Sequence, residues 1–338
     1  MKRLVWPLLA LVALLLLNLI FTPAFFSLRL QDGHLFGSLV DILRNGAPTL
    51  LIALGMTLVI ATRGIDLSVG AVVAIAGAVA CTYIADGGNA IVAMLLALAL
   101  CLVLGLWNGF LVSVLGIQPI IATLVLMTAG RGVAMLITEG QIITVNNNTF
   151  GEVSGGYVVL PIAILISLVV LAAVALVTRR TALGMLIEAV GVNPEASRLA
   201  GVRSRTIIWT VYVFSGLCAG VAGLMIASNV NAADANYAGL WIEMDAILAV
   251  VIGGTSLAGG RYSLTGTLIG ALVIQTLTTT VYTIGVPPET TLVFKAAVVI
   301  VVCLLQAPRL TGALRRPVGP TSPPVTAVPQ EPQEAGAR

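Results

Sequence analysis

The chain has 338 residues, of which 59% are hydrophobic and 9% charged, against roughly 25% charged in ordinary soluble domains. That balance excludes a soluble globular protein and indicates a single polytopic membrane domain. The formal net charge of +3 implies no nucleic-acid partner, because orientation in a membrane depends on where Lys and Arg sit rather than on their sum.

Lys2 and Arg3 precede an apolar run over 4–21. At about 18 residues it is too long for a signal-peptide core and no small-x-small cleavage site follows it, so a retained anchor is expected. Further apolar spans fall at 47–62, 67–85, 89–115, 119–138, 158–178, 207–229, 244–259, 264–284 and 291–306. The expected fold is all-α, a polytopic membrane protein of about ten transmembrane helices over 1–310. Residues 22–46 mix Pro23, Asp32, Gly33, Asp41 and Arg44 with apolar positions and read as an interfacial segment on the outer side. Residues 311–338, rich in Pro, Gly, Ser and Glu, read as a disordered cytoplasmic tail.

Cytoplasmic loops carry the excess of Lys and Arg. With the N-terminus inside, Lys2, Arg3, Arg63, Arg179, Arg180, Arg198, Arg203, Arg205, Arg261 and the arginines from Arg309 onward fall inside, while Arg29 and Arg44 fall outside. Both termini are therefore expected in the cytoplasm.

A polar break interrupts the apolar stretch Gly55 to Gly77 at Arg63, Gly64, Asp66 and Ser68. Unsatisfied polar groups in hydrocarbon cost several kcal/mol, so the break is a cytoplasmic turn or a re-entrant segment facing protein. A connection between helices is the favoured role. The run GGTSLAGGR, beginning at Gly253 and Gly254, echoes it. A second weak echo relates residues 105–123 to 270–291, and together they suggest an internal pseudo-repeat with broken helices. The pairs Gly105 with Gly109, Gly216 with Gly220 and Gly266 with Gly270 have close-packing spacing. Cys81, Cys101, Cys218 and Cys303 stand singly in apolar surroundings, as packing residues without metal or disulfide, and His34 is the only histidine.

The longest basic loop, residues 178–206, reads TRRTALGMLIEAVGVNPEASRLAGVRSRT. Asn193 as N-cap, Pro194 in the first turn and Glu195 beside it predict a short helix, and a second is expected over 185–190, ending at Gly191. Two short helices parallel to the membrane would form a knob for a soluble partner.

This loop resembles the coupling segment of bacterial ABC importer permeases, with Glu188, Ala189 and Gly191 in the EAA-like position and a continuation through Asn193, Ala196 and Arg198 to Gly201. Three more stretches sharpen the likeness to the ribose and galactofuranose branch of sugar importers, carbohydrate uptake class 2: GMTLVIATRGIDLSVGAVVAIAGA from 55, GLWNGFLVSVLGIQPIIATLVLMTAGRG from 105 and ADANYAGLWIEMDAILAVVIGGTSLAGGR from 233. Galactofuranose-type permeases are the nearest likeness, including QDGHLFGS at 31.

The resemblance implies a monosaccharide-translocating permease in the bacterial inner membrane, working by alternating access. Its partners are a second permease subunit with a heterodimer favoured, an ATP-binding subunit that holds ATP and Mg, and an extracytoplasmic sugar-binding protein. No cofactor is bound by this chain itself. The residues agree on one point, since the chain contains no GxxxxGK[ST] phosphate loop and Lys2 and Lys295 are its only lysines. Arg63 stands where close relatives carry a second glycine of a GGIDLS run, which puts in doubt any need for consecutive glycines there.

Polar and aromatic groups set in apolar helices, Thr57, Trp107, Asn108, Thr123 and Gln275, are the candidates for the sugar path. Asn231, Asp234, Asn236 and Glu243 are the candidates for contact with the binding protein. Arg131, inside the fifth span, either orients a helix pair or lines the path, and Lys295 is expected to snorkel outward. The rival class, an ion-coupled secondary transporter, would need intramembrane carboxylates, and only Asp66 and Asp245 stand near span edges. A membrane enzyme would need a nucleophile, base or metal cluster, and the sequence offers none.

Overall fold

The computed structural model describes residues 4–21, 23–27, 29–31, 34–285 and 290–306. Asp32, Gly33, the tail over 311–338 and the side chain of Cys303 lie outside the described residues. Two apolar helices open the described chain, α1 (Val5–Phe21) and, after a short hairpin of β1 (Arg29–Gln31) and β2 (His34–Phe36), α2 (Ser38–Ala61). Next come α3 (Val69–Ala85), α4 (Ala90–Ser113), α5 (Pro119–Ile137), β3 (Ile143–Thr144), the short α6 (Asn148–Gly155) and α7 (Ile162–Arg180). The loop helices α8 (Leu183–Val192) and α9 (Pro194–Leu199) lead into α10 (Ser204–Val230). The chain closes with β4 (Ala232–Ala233), α11 (Ile242–Ile252), α12 (Leu264–Thr283) and α13 (Thr291–Gln306).

Each expected apolar span coincides with a helix, and α2, α4, α5, α7, α10 and α12 are long and apolar enough to cross a membrane. Two boundaries are corrected. α2 begins at Ser38 rather than at 47, with Asp41 in its first turn and Pro48 inside it. Polar residues and a proline masked the first turns of this helix, which tertiary packing nonetheless holds. The span expected over 244–259 is only α11, whose 11 residues reach about 16 Å, half of a hydrocarbon layer of roughly 30 Å. An irregular segment over 253–263 follows it.

α2 and α10 form the centre. The most apolar stretch of α2 is 83% buried and that of α10 67%, against 28% for α4, α5 and α7. The two run antiparallel, since Arg44 meets Asn229 near one end and Gly55 lies against Ser215 midway. A side chain at Gly55 would sit 2.9 Å from the Ser215 Cα, so the absent Cβ allows this approach. Gly105 and Gly216 do the same for α4 and α10.

The contacts around this pair repeat with exchanged roles. α10 packs on α3 and α4, and α2 packs on α11 and α12. α3 touches α4 and α5, and α11 touches α12 and α13. The pairs α2/α10, α3/α11, α4/α12 and α5/α13 thus correspond, with chain directions reversed, as in inverted-repeat transporters. This arrangement supports the echo between 105–123 and 270–291, which aligns α4 with α12. It changes the other echo, because the counterpart of the 62–68 break is the segment 231–241 between α10 and α11, not 253–261.

α1 is tied to α12, where the Asn18 amide donates to the Thr280 hydroxyl at 2.6 Å. Cys81, Cys101 and Cys218 are buried free thiols in packing positions. Lys295 does not snorkel freely; it pairs with the Asp245 carboxylate at 2.7 Å and joins α13 to α11.

Candidate functional site

The loop over 181–203 folds as its residues dictate. The Asn193 carboxamide oxygen accepts from the Glu195 and Ala196 amides at 3.0 Å each, capping α9. α8 extends to Val192, so Gly191 does not end it. Gly191 faces inward. A Cβ there would lie 1.8 Å from the Ala61 carbonyl oxygen and 2.6 Å from the Gly260 amide nitrogen, and the Gly260 amide itself donates to the Ala61 oxygen at 2.9 Å. Three backbones, the end of α2, the end of α8 and segment 253–261, meet with no side chain between them.

Arg63 crosses this junction. Its Nε donates to the Ala258 carbonyl at 3.1 Å and its Nη2 to the Val192 carbonyl. Tyr262 lies against Gly184 of α8 and is hydrogen-bonded with Thr178; burial raises its phenol above the ordinary value.

From Arg63 the chain rises between helices to a buried polar cluster. The Asp66 carboxylate accepts from the Ser68 amide at 3.1 Å, the Ser68 hydroxyl at 2.6 Å and the Ser215 hydroxyl at 2.8 Å. The Asn108 amide donates to Ser68 Oγ at 2.8 Å, and Thr123 donates to the Ile65 carbonyl at 3.2 Å. Ser215 lies nearly midway along α10, so the segment is re-entrant: Arg63 is exposed, while Asp66 and Ser68 are buried. Every lone pair used by Asp66 is met, which is how a carboxylate is tolerated among apolar helices.

A second re-entrant segment descends from the opposite end. After α10, residues 231–241 fold inward until Gly239 lies against Gly70, the second residue of α3. Arg131 on α5 holds this segment, donating to the Ala235 carbonyl at 3.0 Å and to that of Ala238 at 2.6 Å. The N-termini of α3 and α11 thus come together. A Cβ on Gly70 would lie 2.4 Å from Glu243 Oε2, which places a carboxylate where two helix dipoles favour negative charge.

The expected site residues separate into distinct places. On the loop, Ala189, Asn193, Ala196, Arg198 and Gly201 are exposed, Glu188 is half-buried and Gly191 is buried against α2. Of the path candidates, Thr57 is buried and shares a 2.7 Å hydrogen bond with Thr267 that latches α2 to α12. Asn108 and Thr123 brace the 62–68 segment, Gln275 packs beside Gly46, and Trp107 is half-exposed on α4. Among the described residues, none of these five lines a described cavity.

On the opposite end, Asn231 and Asn236 are exposed, and Asp234 caps a turn by accepting from the Asn236 amide at 2.9 Å. Glu243 is corrected: at 3% exposed it cannot serve as a surface contact. It reads as a loop residue in sequence because the re-entrant fold that buries it is long-range. Arg131 ties α5 to the 231–241 segment through two carbonyls, an orienting contact. Sequence reasoning missed Gly259 and Gly260 as partners of the loop and Ala258 as a partner of Arg63, though the glycine-rich run that they form was visible. Gly253 and Gly254 lie elsewhere in that segment, where Gly253 packs on Gly266.

The family described as branched-chain amino acid transport system / permease component matches residues 38–303. The chain is 50% identical to the galactofuranose transporter permease protein YtfT of Escherichia coli strain K12, over 93% of this chain and 94% of that protein. It is 44% identical to the fructose import permease protein FruF of Bifidobacterium longum, over 91% and 89% respectively. The ribose import permease protein RbsC of Escherichia coli strain K12 is 38% identical over 88% and 92%. No solved structure matches the chain.

Proposed function

We infer the work of this chain from the family to which it belongs, the permease components described as branched-chain amino acid transport systems. It is the multi-pass membrane subunit of an ATP-driven sugar importer, a transport subunit rather than an enzyme. The observation that carries this reading is high identity over nearly the whole length to three permeases named for galactofuranose, fructose and ribose. A galactofuranose-like or ribose-like monosaccharide is the cargo that these names favour.

An ATP-binding subunit, holding ATP and Mg, docks on the α8–α9 loop. The outward face of that loop supports this, because Met185, Val192 and Leu199 are exposed at 68%, 60% and 81%, an apolar surface rimmed by Arg179, Arg180, Arg198, Arg203 and Arg205. The same excess of arginine supports a cytoplasmic location for this end and for both termini in the inner membrane. The sugar-binding protein docks at the opposite end, over Asn231, Asp234 and Asn236. A second permease subunit, in a heterodimer, completes the path. ATP binding and release then shift the balance between outward-open and inward-open states by differential contact with the loop.

The test is purification and uptake together. The tagged chain, isolated from its host, should retain an ATP-binding subunit, and the reconstituted complex should take up radiolabelled monosaccharide with ATP. Replacing Met185 and Leu199 together by Ser should release that subunit and abolish uptake while the chain still inserts. Retention of both would refute docking at this loop.

A further inference from the structure

We propose that Arg63 is the positioning residue that makes α8, the 253–261 segment and the end of α2 move as one body, so that displacement of the loop is delivered to α2 and to the α11–α12 connection together. The inference rests on the coupling reading of the loop and adds to it a residue and a linkage.

The backbone makes the choice of arginine informative. The Arg63 amide donates to the Ile60 carbonyl and the Gly64 amide to the Val59 carbonyl, at 2.9 Å each, which is the Schellman ending of a helix. The residue in the left-handed position of that ending is normally glycine, because a Cβ costs about 1–2 kcal/mol there. Here it is Arg63, with φ of 66°. The chain keeps a strained, exposed residue where the unstrained one is the default. Strain of this kind persists where the surroundings over-determine it.

What the side chain does there is specific. The planar guanidinium donates in two directions, to the Val192 carbonyl at the C-terminus of α8 and to Ala258. Cations are favoured at a helix C-terminus, and only the forked head of Arg offers separate donors on a fixed plane. The two neighbouring segments are shaped to receive it. Gly259, at φ of 79°, would place a Cβ 2.4 Å from Arg63 Cγ and 3.0 Å from the Gly191 oxygen, so the glycine leaves room for the arginine stem. The Gly191–Ala61–Gly260 contact lies on the other side of the same junction. Without the guanidinium, no side-chain hydrogen bond would tie the C-terminus of α8 to this junction: the Gly260–Ala61 backbone bond joins only 253–261 to α2, and α8 would be held by the packing of Ile187 and Val190 and the glycine contact at Gly191.

The test compares Arg63→Gly and Arg63→Lys in the complete transporter reconstituted in proteoliposomes. Arg63→Gly relieves the left-handed strain, so the chain should melt no lower than the parent, while the sugar taken up per ATP hydrolysed falls several-fold. Arg63→Lys keeps the charge with one compact head and should restore the ratio only in part. A parental ratio in Arg63→Gly overturns the proposal, and full restoration by Lys overturns the two-carbonyl bridge. Spin labels at Ala196 and Leu257, both exposed, should give one narrow distance in the parent and a broadened distribution in Arg63→Gly; an unchanged distribution also overturns it. The distance needs no ATP-binding subunit, so it remains decisive even where Met185→Ser with Leu199→Ser leaves uptake intact and the coupling reading itself falls.

Discussion

Residues 62–68 and 231–241 both carry irregular backbone into an apolar interior, and an arginine holds each by carbonyl oxygens, yet the two arginines stand in opposite relations to their segments. Arg63 belongs to the re-entrant segment and reaches outward, to Val192 and Ala258. Arg131 belongs to a neighbouring helix and reaches inward, to Ala235 and Ala238. The first ties its segment to the α8–α9 loop and to 253–261, and the second ties its segment to α5. The pseudo-symmetric halves therefore share an architecture but differ in attachment: one re-entrant segment is tied to the α8–α9 loop, the other to α5.

The largest expected effect tests the end at the α8–α9 loop. Gly191→Val forces a branched side chain into a position where even a Cβ would lie 1.8 Å from a backbone oxygen. Overpacking of this kind costs about 1–3 kcal/mol, and ATP-driven uptake should fall by more than about tenfold, the factor that 1.4 kcal/mol represents. Gly70→Val at the other end should be milder, since the nearest backbone atom there, the Gly239 oxygen, lies at 2.6 Å rather than 1.8 Å. Equal losses would dissolve the distinction between the two ends.

Next in size is Asp66→Ala. It strands the Ser68 amide and the Ser68 and Ser215 hydroxyls without their acceptor, and buried donors left unpaired cost about 1–3 kcal/mol each. The purified chain should melt several degrees lower, with Asp66→Asn intermediate because one acceptor oxygen remains.

Arg131→Leu should be smaller for stability and confined to one end. It removes charge-assisted bonds of roughly 1.5–3 kcal/mol each, partly offset by burying an apolar side chain. Hydrogen exchange should quicken over 235–241, and the binding protein should dock several-fold more weakly, with 62–68 unaffected. The smallest effect is expected for Arg198→Ala. Its ion pair with Glu195 is exposed at 64% and 66%, and such surface pairs rarely contribute measurably, so the melting temperature should not move.

The amino-acid sequence by itself determined what depends on composition and on local chemistry. A chain with 9% charge cannot hide its apolar runs in water, so the helices and their order were legible, and Asn193 with Pro194 specified the start of α9 because capping is settled within four residues. The distribution of arginine, the close-packing spacing of Gly105 with Gly109 and the family likeness were legible for the same reason. Tertiary structure decided the rest. Nothing local distinguishes Glu243 in a loop from Glu243 buried at the meeting of two half-helices, nor Gly191 as a helix terminator from Gly191 as a point of backbone contact. The start of α2 at Ser38, the short α11 and the pairing of 62–68 with 231–241 as inverted counterparts were settled by helices far apart in the chain. A re-entrant segment is defined by what surrounds it, because polar backbone enters an apolar interior only where other segments satisfy it.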